Sequence, residues 1–234
     1  MGVLENNMTL GVVDGEDAVQ STSNLEAKLF ALDERLNELP ADAPVLDKAF
    51  LELEKSRNLT ALDRGDQAWP LARAVFDVYL QEKDWDKVAQ ACEIMFMAEQ
   101  DGSLSALGHG VWLSVSFPVE TELSLALLQH IVDETPNDAD GAAVAAATGV
   151  YLVELRAKED EKENLNFFAN QLLGTVARRH SNVESQEDFT TWIKKLELDD
   201  PQKFLIRLRN VVDVLVQDDW WVDRDALRAD MPEN

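Results

Sequence analysis

The side chains able to do chemistry in this chain are few and scattered. Histidine occurs three times, at His109, His130 and His180, and cysteine once, at Cys92. His109 stands between two glycines in "LGHGVW". In a mobile loop, that imidazole could serve as a general base with a neighbouring acid, or reach a metal, in a pocket between helices. At a helix start, the same glycines would only allow close packing around it, and that is the expected role. His130, in "LLQHIVDE", reads as a boundary position on an ordinary helix. His180 follows Arg178 and Arg179 at a helix end, where cations complement the dipole. Cys92 falls in the apolar stretch "AQACEIMF" and reads as core packing rather than a nucleophile.

Carboxylates are too abundant to select a catalytic pair. Forty-five acids face 21 bases, for a net charge of −24. The runs "DETPNDAD" and "KEDEKE" read as solvated faces. The calcium-loop spacing with its central glycine is absent around Asp219, Asp223 and Asp225. No H-E-x-x-H, P-loop, G-x-G-x-x-G or G-x-S-x-G occurs. The residues three before the histidines are Ala106, Leu127 and Ala177, so no Glu-x-x-His of a di-iron bundle is present. The expectation is therefore no catalytic residue, no metal ligand and no cofactor. The charge disfavours phosphate backbones and anionic membranes and leaves basic partners, cations or high-salt surroundings open. No run approaches the ~20 apolar residues of a membrane span, and the start lacks a basic, apolar signal pattern. A cytoplasmic location is expected.

Aromatic residues offer a different chemistry, that of recognition. The chain closes on "VLVQDDWWVDRDALRADMPEN", with Trp220 and Trp221 adjacent among acids. Neighbours on a helix point about 100° apart and in a strand to opposite faces, so regular structure cannot bury both against one core. Trp221 is expected inside and Trp220 outside, as an anchor for a partner. Tyr79, Trp85, Trp112 and Tyr151 are further candidates for a binding surface.

The elements that must position these groups read as helices throughout. After an N-terminal tail at 1–20, Leu25, Leu29, Leu32, Leu36 and Leu39 step by four and three along one face until Pro40. A second helix starts near Pro44, with Leu46, Ala49, Phe50 and Leu53 on one side. Trp69, Ala72, Phe76 and Tyr79, then Trp85, Val88, Cys92 and Met95, mark the next two. Pairs follow that break at Pro118 and Pro136, with later helices at 142–157 and 163–179. The small residues from Ala142 to Gly149 should give the closest helix approach. Ser185 with Asp188, and Asp200 with Pro201, are helix-start signals. Asp223 can cap a last short helix. About ten helices and no strand result: a single all-α array of antiparallel hairpins over 21–217, then an acidic, Trp-containing tail at 218–234.

Within that array, Tyr79 sits near the end of one helix, "KDWDKVAQA" makes a short turn with Asp84 and Trp85, and Lys83 precedes them. This pattern resembles a tetratricopeptide-type repeat, with Lys83 where glycine is usual and Val88 where alanine is preferred. A second unit, "LSLALLQHIVDETPND", ends in Pro136 and Asn137 like that family's inter-repeat corner; Val88 and Ser124 lie 36 apart, against the family's 34. The resemblance covers about 70–137. It implies stacked hairpins with a concave face that holds peptides or helices. The expected function is a non-catalytic scaffold or assembly factor that binds a partner protein. The alternatives are an enzyme with a pocket near His109 and an acidic mimic of nucleic acid.

Overall fold

Each amphipathic stretch folds as a helix, and a short polar or proline-bearing joint turns the chain back after it. The computed structural model describes residues 15–229, which hold eleven helices and no strand. They are α1 (Gly15–Glu38), α2 (Val45–Ala61), α3 (Gly65–Gln81), α4 (Trp85–Met97), α5 (Ser103–Ser116), α6 (Thr121–Glu134), α7 (Asp140–Arg156), α8 (Glu159–Ser181), α9 (Gln186–Lys195), α10 (Pro201–Val216) and α11 (Arg224–Ala229). Two boundaries differ from expectation. Residues 15–20, set apart as tail in the sequence, belong to α1, while 1–14 lie outside the described residues. α8 starts before Glu163, because Glu159, Asp160 and Glu161 in its first turn suit the positive end of the helix.

Consecutive helices from α1 to α8 pack as antiparallel neighbours. In addition α2 touches α4, α4 touches α6 and α6 touches α8, so the even-numbered helices form a continuous layer. The odd-numbered side is closed differently: α10 packs on both α5 and α7. The core between the layers centres on Phe76, Met95, Leu107, Leu113, Leu127, Ile131 and Leu152, all fully buried. Burying each such side chain contributes roughly 1.5–3 kcal/mol.

Helix ends show how the array is held. Asp84, Ser185 and Asp200 accept from backbone N–H groups of the helices they open. Ser185 also donates to Asp188 Oδ2 at 2.7 Å. The carboxyl end of α5 is capped from α7, where Arg156 donates to the Ser114, Val115 and Phe117 carbonyls at 2.6–3.0 Å. Arg179 of α8 does the same for Val132 of α6, at 2.6 Å. Three successive turns place a non-glycine residue in the left-handed region: Asp63, Lys83 and Glu99, with φ of 57°, 57° and 52°. That conformation costs an L-residue roughly 1–2 kcal/mol. Glu99→Gly, at an exposed position, should therefore raise stability by about 0.5–1 kcal/mol once glycine's extra unfolded-state freedom is subtracted. A urea melt with unchanged slope and no gain in midpoint would contradict this.

The alanine run of α7 is buried as expected, from Ala142 to Ala147. The tightest approach, however, lies elsewhere. A Cβ at Gly65 would stand 1.9 Å from the carbonyl oxygen of Ala98, whereas one at Gly149 would meet Leu125 Cδ1 at 2.8 Å. The start of α3 thus abuts the end of α4 backbone to backbone, a contact no hydrophobic pattern announces.

Candidate partner-binding surface

The C-terminal segment decides which aromatic groups are free. Asp218 and Asp219 leave α10, and the chain then lies against α3 and α5 instead of projecting as a tail. His109 is the post it is tied to. It occupies the middle of α5, wholly buried, neither in a loop nor at a helix start. Its Nε2 accepts the Trp221 backbone N–H at 2.9 Å, so the ring proton sits on Nδ1, which donates to the Ser105 carbonyl at 2.7 Å. Trp221 stacks on the imidazole, with ring centres 4.2 Å apart and planes 12° apart. Phe76 and Trp69 meet Trp221 edge-on, and the Arg73 guanidinium lies over it at 4.8 Å. Burial lowers the His109 pKa from 6.5 to about 4, against the Ser105 hydrogen bond and the Asp219 charge, which favour the protonated ring. With both nitrogens engaged and no exposed surface, this imidazole is not presented to a substrate.

Trp220 shares that burial, contrary to the expected division of one tryptophan inside and one outside. Both are half-buried and both pack on the core. The irregular backbone at 218–223 makes this possible, because neither helical nor strand geometry fixes the angle between the two side chains. Trp220 is covered by the Arg224 guanidinium at 3.8 Å, and Arg224 pairs with Asp213 at 2.8 Å. Asp223 caps α11 as expected, accepting from the Asp225 and Ala226 N–H groups.

The other aromatic candidates are placed likewise. Tyr79 and Trp112 are core residues, 4% and 5% exposed, because the faces of α3 and α5 that carry them meet neighbouring helices. Trp85 is half-buried and stacks on Phe117 at 3.9 Å, and Tyr151 is half-buried edge-on to Phe204. Trp112 meets Trp220 edge-on at 5.9 Å and shares Phe117 with Trp85, so these three cluster as packing within the array rather than as a free surface. Cys92 is fully buried in the core, and burial raises its pKa. His180 accepts from Trp192 Nε1 at 3.2 Å and faces Asp140, while His130 lies 3.9 Å from Glu93. No group of three or more potential metal-binding side chains converges among the described residues. No helix there is long and apolar enough to cross a membrane.

The open surface lies on the layer of even-numbered helices. Three hollows of about 550, 540 and 520 Å³ adjoin one another. The first, between α1 and α2, is lined by Leu25, Leu32 and Phe50. The second, between α2 and α4, is lined by Ile94, Met97 and Glu99. The third is lined by Leu123 and Ala126 of α6, with Glu120, Glu122, Lys158 and Glu161 around them. Arg57 borders the first and second, and Glu93 the second and third, so they form one groove. Phe50 and Met97 are 43% and 50% exposed within it. Arg57 is held by Glu54 and by Gln90, the latter at 2.9 Å. One end of the groove is therefore mainly apolar, with Lys28, Arg35 and Glu54 beside its apolar side chains, and the other is acidic, since Lys158 is already bound to Glu120 at 3.0 Å.

Sequence reasoning placed Phe50 on a buried face and did not single out Arg57, Glu93 or Met97. The apolar stripe of α2, running from Leu46 through Ala49 and Phe50 to Leu53, is wider than one neighbour covers. Ala49 and Leu53 are buried, and Leu46 and Phe50 are left open. Stripe width was the available signal. Set against protein-family models, curated proteins and solved structures, the chain matches none of them.

Proposed function

We propose that this protein is a non-catalytic interaction module that holds a basic, amphipathic segment of a partner protein in the groove over α2, α4 and α6. The observation that carries this reading is the groove itself, which joins exposed Phe50 and Met97 to an acidic end at Glu93, Glu122 and Glu161. Apolar side chains supply the area a partner helix would bury, and the excess of carboxylates over the single Lys158 at the acidic end selects its charge. The overall charge of −24 would speed encounter with such a partner.

The test is capture from the native host with wild-type protein and with a Phe50→Asp/Met97→Asp variant of equal helicity. A stoichiometric, basic partner held by the wild type, lost by the variant and weakened in about 0.5 M salt supports the proposal. Equal retention by the variant, or no stoichiometric partner at all, contradicts it.

A further inference from the structure

A smaller hollow of about 180 Å³ lies away from the groove, between α5 and α10. Its walls are apolar: Val111 and Val115 from α5, and Leu205, Leu208 and Val212 from α10. Two features set it apart from a packing defect. Trp112 lines it, is only 5% exposed, and its Nε1 has no hydrogen-bond partner among the described residues. The second feature is charge. Arg209 and Arg228 also line the hollow, in a chain with more than twice as many acids as bases. Arg209 makes no ion pair among the described residues. Arg228 lies 5.7 Å from the Trp112 ring centre and, among the described residues, forms an ion pair with Asp225 alone, at 3.8 Å.

We infer that this hollow binds a small carboxylic acid with a compact apolar body. An apolar cavity of about 150 Å³ accepts benzene, so a single ring or a branched chain of similar size fits here. The body lies between α5 and α10 against the Trp112 ring, and the carboxylate accepts from the two guanidinium groups. Arginine suits a carboxylate because its planar fork offers paired donors. Arg228 belongs to α11, so the site is complete only when the C-terminal segment is folded back. The inference is independent of the partner groove.

Phenylacetate serves as the probe, titrated into the full chain and followed by calorimetry and tryptophan fluorescence. The expected result is saturable one-to-one binding with Kd on the order of 1 mM, as the size of the ligand allows. Arg209→Ala should weaken it at least about tenfold, and Arg209→Ala/Arg228→Ala should remove it. Val115→Phe, which fills the hollow, should remove it as well. The neutral analogue 2-phenylethanol should bind at least about tenfold more weakly than phenylacetate. Arg209 is exposed, so its variant leaves the core untouched; circular dichroism checks each fold. No saturable binding of phenylacetate would overturn the inference. So would equal affinity for the double arginine variant, or for 2-phenylethanol.

Discussion

Replacing His109 with leucine should cost about 3 kcal/mol of stability and release the C-terminal segment. Leucine fills much of the imidazole's space but offers no acceptor, so the Trp221 N–H is left unmatched, at roughly 1–3 kcal/mol. The stack on Trp221 and the edge contacts with Trp220 and Phe76 are lost too, at roughly 0.5–1.5 kcal/mol per aromatic pair. For a chain of this size the melting temperature should fall by about 6–12 °C. Trypsin should cut faster after Arg224. An unchanged melt with unchanged protection at Arg224 would show that His109 does not hold the segment.

The same residue predicts a pH dependence of definite sign. The folded pKa, about 4, lies below the 6.5 of a free imidazole. Between these values the unfolded chain binds the proton and the folded one does not, so stability falls as pH falls. The contribution is complete above pH 6.5 and is lost as the pH drops towards 4, for a total of about 3 kcal/mol. Protonated Nε2 would also become a donor facing the Trp221 N–H, which strains the contact directly. His109→Gln keeps an acceptor but does not titrate. The stability difference between wild type and this variant should therefore shift against the wild type from pH 7 to pH 4.5, while all other groups cancel. A difference that stays constant with pH would contradict the assignment.

The second large effect is expected at Gly65. In Gly65→Ala the new methyl carbon would stand 1.9 Å from the Ala98 carbonyl oxygen, which is backbone and cannot rotate away. Overpacking of this kind costs roughly 1–3 kcal/mol, and the upper end is expected because two helix termini must separate. Gly65 and Ala98 also line the middle of the groove, so partner affinity should fall together with stability. A Gly65→Ala protein that melts within about 1 °C of wild type would show that the contact relaxes freely.

The fold was legible where periodicity governs it. Phe76, Cys92, Met95, Leu127, Phe204, Leu208 and Val212 are buried where the helical spacing put them, and the caps at Ser185, Asp200 and Asp223 act as read. The misses have physical causes. Trp220 and Trp221 share one environment because an irregular backbone escapes the angular rule applied to them. His109 reads as a helix-start residue whose flanking glycines allow close packing; the packing holds, since a Cβ at Gly108 would meet Val216 Cγ2 at 2.5 Å and one at Gly110 would meet Cys92 Cβ at 3.0 Å, but the residue lies in mid-helix. The contact at Gly65 and the groove are tertiary. They depend on which helix faces abut, and a single-helix pattern carries only the width of its apolar stripe, as at Phe50.

The partner groove is tested most directly by backbone amide exchange on the captured complex, compared with the free protein. Exchange should slow over 50–61 and 93–100, the parts of α2 and α4 that line the groove, and stay unchanged over α10. Slowing confined to 201–229, with 50–61 and 93–100 unaffected, would place the partner on the opposite layer and contradict the account.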